Sequence, residues 1–121
     1  MRVDIVTPER QLVSTEADRV QIPGTEGEMT VMDHHAPTVT TLRPGIVTVS
    51  GDAYVVTGGF AEISESGTSI LAEHAVPQAE ASREMLEALR KDAEEAVDSA
   101  PDKIAARQRV NDIAELIRRI G

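Results

Sequence analysis

Two compositions meet at Val76-Pro77, and that junction decides most of what this chain can become. Of its eight glycines, seven stand at or before Gly67 and the last is Gly121. From Gln78 onward the chain is written in Ala, Glu, Leu, Arg and Lys, all good helix formers. Before the junction, short β-type runs are punctuated by Gly, Pro, Ser and Asp at regular intervals, which is the pattern of a sandwich or barrel. The expected fold class is α+β. An all-β sandwich domain over residues 1–77 precedes an antiparallel two-helix hairpin over 78–121.

The β-type runs can be followed one by one. Val3 and Ile5 alternate before Pro8; Leu12 and Val13 lead into Thr15; Val20 and Ile22 alternate with Arg19 and Gln21. Residues 23–44 are expected to open as a loop, with strand resuming at Val39 to Leu42. Ile46, Val47 and Val49 follow, then Tyr54 to Thr57, Phe60 to Ile63, and Ser69 to Ala72. Ser50-Gly51-Asp52 and Glu65-Ser66-Gly67 have the residues of tight hairpin turns, with Gly supplying a positive φ. Gly58-Gly59, between two apolar segments, marks a bulge, a bend or a close approach of another backbone.

Beyond the junction the period changes to that of a helix. One helix is expected over 79–98, its face made by Met85, Leu86, Leu89, Ala93, Ala96 and Val97. Pro101 belongs to the first turn of a second helix or to the residues just before it. That helix is expected over 102–120, with Ala106, Val110, Ile113, Ala114 and Ile117 as its stripe. The short link implies an αα-hairpin. Only Met85, Leu86, Leu89 and Val97 are large apolar groups on the first helix, at about 1.5–3 kcal/mol each when fully buried. Helices of this length are marginal alone, so the hairpin suits an arm that is ordered when docked and able to come off.

Composition excludes several classes of function. With no cysteine there are no disulfides, thiolate metal sites or Cys nucleophiles. Tyr54 and Phe60 are the only aromatic residues, so the core must be aliphatic. Net charge is -9, with 4 basic and 11 acidic side chains in residues 1–77. Without a basic stripe or stacking platforms, nucleic acid is not an expected partner. The acidity suits a soluble protein or one that meets basic protein surfaces. No window approaches the roughly 20 apolar residues of a membrane span, and the first residues lack the apolar region of a signal peptide. The chain reads as cytoplasmic.

Chemistry, if present, would concentrate in residues 23–44, which are rich in Gly, Pro and polar groups and set among strands. Asp33-His34-His35 is the one cluster with metal-ligand atoms. Adjacent residues in extended chain point to opposite sides, and His74, the third histidine, is far along the sequence, so structural or contact roles outweigh a metal site. Glu26 and Glu28 flank Gly27 with nothing nearby placed to raise a carboxylate pKa; a solvated turn and an acidic contact surface are equally good readings. No Gly-x-Ser-x-Gly elbow or phosphate-cradling loop is present. On the second helix, Arg107, Arg109, Arg118 and Arg119 form either a solvated face near a helix C-terminus or a docking surface for acidic groups. Three function classes remain: a sandwich subunit acting by contact, a free-standing adaptor for another basic protein, and a metal-dependent hydrolase using Asp33, His34 and His35.

The order of certain short motifs narrows this further. Gly24-Thr25-Glu26-Gly27-Glu28, His35-Ala36-Pro37, Leu42-Arg43-Pro44-Gly45, Gly58-Gly59-Phe60-Ala61-Glu62-Ile63 and Ile70-Leu71-Ala72-Glu73-His74-Ala75 occur in this sequence and spacing. Together they resemble the epsilon subunit of rotary, proton-translocating ATP synthases, called delta in mitochondria, across essentially the whole chain. The resemblance implies a sandwich and helical hairpin in the central stalk, without catalysis of its own, passing proton-driven rotation of the membrane c ring through gamma to ATP synthesis in the catalytic alpha/beta hexamer. It implies that Glu26, Gly27, Glu28 and His35 contact the c ring, and that His35, Pro37, Val39 and Leu42 contact gamma. Basic loops on the ring would give the acidic residues complementary partners. The family's ATP motif, Leu/Ile-Asp-x-x-Arg-Ala, aligns with residues 79–84, where Arg83 is kept and Glu80 is a partial match; no cofactor is expected. Arg107 and Arg109 are the implied positions for regulatory contacts of the tail with the hexamer, in a family that restrains ATP hydrolysis in this way. The implied location is peripheral, on the cytoplasmic face of a bacterial plasma membrane, reached only through the complex.

Overall fold

The computed structural model describes residues 1–33 and 35–120. It divides into two compact units, Met1–Gln78 and the segment from Ala79 onward.

The first unit is all β. Ten strands follow one another: β1 (Arg2–Val6), β2 (Gln11–Glu16), β3 (Arg19–Gly24), β4 (Gly27–Met32), β5 (Thr38–Leu42), β6 (Gly45–Val49), β7 (Asp52–Val56), β8 (Gly59–Ile63), β9 (Gly67–Ala72) and β10 (Ala75–Pro77). They hydrogen-bond in the order β10-β7-β6-β3-β5-β8-β9-β1-β2, with β4 pairing off β3. Among the described residues every strand pairing is antiparallel except β1 with β9. β3 is the corner. Val20 and Gln21 pair with β6, Gly24 pairs with Leu42 of β5, and the whole strand pairs with β4.

Alternation builds the core, because successive side chains of a strand point to opposite faces. Val3 and Ile5 of β1, Val20 and Ile22 of β3, Val31 of β4, Val47 and Val49 of β6, and Ile70 and Ala72 of β9 join one buried aliphatic cluster. A bulge between Ile5 and Val6 sets Leu12 as the extra residue of β2, which re-aims that edge.

The turns follow their residues in part. Ser50 and Gly51 make a two-residue hairpin turn with φ of 47° and 88°, as their composition requires. Gly59, with φ of 127°, is a close-approach site: a Cβ there would stand 2.1 Å from the Leu71 carbonyl oxygen. Gly67 departs from expectation. It is not among the positive-φ residues; instead its bare Cα admits the Arg2 carbonyl oxygen, 2.5 Å from where a Cβ would be.

The second unit holds α1 (Arg83–Ala96) and α2 (Lys103–Ile120), after a 3-10 turn at Gln78–Glu80 that spans the unit boundary. α1 starts later than the expected residue 79 because Ser82 caps it: the Met85 amide donates to Ser82 Oγ at 3.1 Å. Asp102 caps α2 in the same way, accepting from the Ala105 amide at 3.0 Å, which places Pro101 just before the helix. Leu86 is buried on α1, and Val110, Ile113, Leu116 and Ile117 on α2. Leu116 joins the expected stripe, whereas Ala96 is exposed. Arg107 of α2 bonds Glu94 of α1 at 2.8 Å, tying the two helices side by side.

Candidate functional site

Residues 23–44 are not an open loop. β3 runs on through Pro23-Gly24, the chain reverses through Thr25-Glu26, and β4 returns from Gly27, whose φ is 134°. In β4, Met29 and Val31 turn inward while Glu28, Thr30 and Met32 face out. A strand with one fully buried side chain, two polar or charged ones and an exposed Met32 carries a weak period-2 signal, and this one was hidden by its Glu and Gly content. The hairpin is pinned to its neighbour: the Thr25 amide donates to the Thr41 carbonyl at 3.0 Å, and the Arg43 amide to the Pro23 carbonyl at 2.9 Å. Glu26 lies at the tip and Glu28 two residues on, both exposed, and among the described residues neither has an ion-pair partner. The hairpin therefore carries two solvated carboxylates on a backbone fixed by ladder bonds.

The segment between β4 and β5 sends Asp33 and His35 to different partners. Asp33 pairs with the Met1 ammonium at 2.8 Å, which also donates to the Ala17 carbonyl at 2.8 Å and has Glu16 at 3.6 Å. The hydrogen bond to Asp33, helped by both carboxylates' charges, raises the amine above its ordinary value of 8.0. His34 lies outside the described residues. His35 is half-buried, with Nδ1 2.7 Å from the Ala36 carbonyl oxygen, which also accepts from Thr38 Oγ1 at 3.0 Å. A carbonyl only accepts, so Nδ1 carries the proton and Nε2 is the ring atom left for other contacts. Among the described residues no three carboxylate or imidazole side chains gather where a metal ion would need them.

Downstream of His35 the chain enters an outward-facing sheet surface. Pro37 is exposed, and Val39 of β5 is 70% exposed. The strand's parity separates Val39 from Leu42, which is 4% exposed and belongs to the core cluster, so Leu42 cannot offer its side chain to another chain. Pattern matching placed both on the contact; one step of alternation removes one of them. The register then reveals a row of residues that sequence reasoning missed. Thr41, Phe60, Leu71 and Val6 stand opposite one another across β5, β8, β9 and β1, on the same face as Val39. Phe60 is 41% exposed and Leu71 partly so. Beside them, Val39, Glu62, Ser69 and Asp4 form the next row and line, with Arg2 and Pro37, a shallow groove of about 610 Å³. Phe60, Leu71, Val6 and the neighbouring Val39 and Pro37 thus lie among the polar groups of Thr41, Glu62, Ser69 and Asp4. Only the pairing register places Phe60, Leu71 and Val6 together.

The helical candidates are dispersed. Glu80 sits in the 3-10 turn and Arg83 opens α1, both exposed. Arg107 is held by Glu94, and Arg109 is half-buried with an interaction partner of its own. Arg118 is paired with Glu115. Among the described residues no helix is long and apolar enough to cross a membrane.

Residues 1–78 match the family described as ATP synthase, Delta/Epsilon chain, beta-sandwich domain. The chain belongs to this family. Among curated relatives, the ATP synthase epsilon chain of Fuscovulum blasticum is 50% identical over 117 residues, covering 93% of this chain and 90% of its own. That of Cereibacter sphaeroides is 47% identical over 122 residues, covering 96% and 92%. Among solved structures, a chain of the Euglena gracilis mitochondrial ATP synthase, in an assembly titled OSCP/F1/c-ring, aligns at a TM-score of 0.71 with 27% identity. It covers 98% of this chain and 80% of that one. A chain of the Tetrahymena thermophila mitochondrial ATP synthase shares the fold at a TM-score of 0.62 and 15% identity, over 99% and 92%. The coverage of the epsilon chains extends past the sandwich, so the helical unit belongs to the likeness as well.

Proposed function

We propose that this chain is the epsilon subunit of a rotary ATP synthase, a non-catalytic rotor component of the central stalk. The reading rests on the family and on one structural observation: a rigid acidic hairpin and an outward apolar strand face joined through β5. The hairpin supplies charge and the strand face supplies apolar area, two surfaces with different chemistry on one sheet. In this reading Glu26 and Glu28 meet the basic polar loops of the c ring, where complementary charge fixes register. His35 follows Met32, at the end of β4 away from the hairpin tip, and goes with Pro37 and Val39 rather than with Glu26 and Glu28. Pro37 and Val39, extended by Phe60, meet gamma. Rotation of the ring is then carried through gamma and this chain toward the catalytic hexamer, with the chain held at the cytoplasmic face of a bacterial plasma membrane by the complex alone. No cofactor is assigned; Glu80 and Arg83 are what remains of the family's ATP motif. Arg107 and Arg109 are proposed as tail contacts with the hexamer, and Arg107 must first leave Glu94.

Co-expression with gamma tests the reading. The expected result is a stable complex of the two chains that survives size-exclusion chromatography and loosens when Phe60 is changed to Ser. A chain that stays monomeric in the presence of folded gamma would sink it.

A further inference from the structure

Pro23 occupies space that a second side chain would need. A Cβ on Gly45 would stand 2.5 Å from Pro23 Cβ and 2.9 Å from its Cγ, closer than real carbon atoms come. Both residues are buried, Gly45 at the head of β6 and Pro23 near the end of β3. A proline ring cannot swing aside by changing rotamer, so a methyl on Gly45 must move backbone. The backbone it would move is that of the acidic hairpin. Pro23 is the register partner of Glu28, its carbonyl accepts from the Arg43 amide at 2.9 Å, and Thr25, two residues on, is bonded to Thr41 at 3.0 Å. Gly24 between them pairs with Leu42, and a Cβ on it would meet the Gly27 carbonyl oxygen at 2.9 Å. The hairpin base thus has tethers on the β5 side and a hard stop on the β6 side.

We infer that Gly45 is a positioning residue: by leaving its Cβ position empty for the Pro23 ring, it sets the angle at which the hairpin presents Glu26 and Glu28. Opening the 2.5 Å contact to an ordinary carbon–carbon separation shifts Pro23 by about 1 Å, enough to misplace a constellation carried on that strand. The inference rests on the reading of the hairpin as a ring contact.

The test uses the assembled complex, reading protons pumped per ATP hydrolysed together with the amount of this chain retained. Gly45→Ala is expected to lower that ratio by about threefold while the chain stays in the complex. Adding Pro23→Gly is expected to restore it, since the vacated Cβ and Cγ return the space. The charge reversal Glu26→Lys with Glu28→Lys serves as the control for the ring contact. If that reversal lowers the ratio and Gly45→Ala does not, the positioning role is wrong and the ring contact stands. A loss that tracks loss of the chain from the complex, or that Pro23→Gly fails to restore, also overturns it, because general destabilisation behaves that way. If the charge reversal leaves the ratio untouched, the ring-contact reading falls and takes this inference with it.

Discussion

At Gly59 the chain tolerates no side chain at all. Its φ of 127° is hostile to L residues, and a Cβ would lie 2.1 Å from the Leu71 carbonyl oxygen and 2.9 Å from Ala72 Cα. Both neighbours are backbone of β9, so nothing flexible can give way. Gly59→Ala should therefore cost about 3 kcal/mol or more, which a denaturant titration of the chain will measure. A cost below about 1 kcal/mol would mean that β8 and β9 are not packed as described. In the sequence Gly58-Gly59 read as a bulge, a bend or a close-approach site, and the Leu71 carbonyl decides for the last at Gly59. Leu42 was not legible, because its neighbours Val39 and Thr41 share its composition and only strand parity tells inside from outside. His35 is an intermediate case: its place ahead of β5 could be read, its tautomer could not, since that depends on the Ala36 carbonyl at 2.7 Å.

Elements were legible in proportion to the strength of their pattern. β1, β3, β6, β8 and β9 each place alternate aliphatic residues in the core and read as strands. β4, with Val31 alone fully buried, and the three-residue β10 did not. Both are made by their partners: β4 by the full ladder to β3, β10 by pairing with Tyr54 to Val56 of β7. The helices were legible as elements but their ends were set by hydroxyl and carboxylate caps rather than by the apolar stripe. Ser82→Ala removes the acceptor for the Met85 amide. It should weaken the first turn of α1 by about 1 kcal/mol, seen as roughly fivefold faster amide exchange over residues 83–86. Exchange unchanged there would show that the first turn is held by something other than its cap.

On the scale of the whole molecule, the compositional junction near Pro77 and the unit boundary after Gln78 have one cause. Strand-forming residues bounded by glycine cannot continue into a stretch of Ala, Glu, Leu and Arg without changing architecture. What remained hidden was how chain order becomes surface. Phe60, Leu71 and Val6 are far apart in sequence and become one outward row only through the antiparallel pairing of β8 with β9 and the parallel pairing of β9 with β1. The hairpin and this row meet at β5, which bonds both Thr25 and β8. The functional account stands on that continuity, and on the hairpin turning together with the ring. A cysteine crosslink tests it most directly. With Glu28→Cys in the assembled complex and a cysteine in the polar loop of the ring, oxidation should join the two chains in high yield while ATP-driven proton pumping continues, because two rotor parts fixed to each other still turn. Failure to crosslink, or a crosslink that stops pumping until it is reduced, would contradict the account.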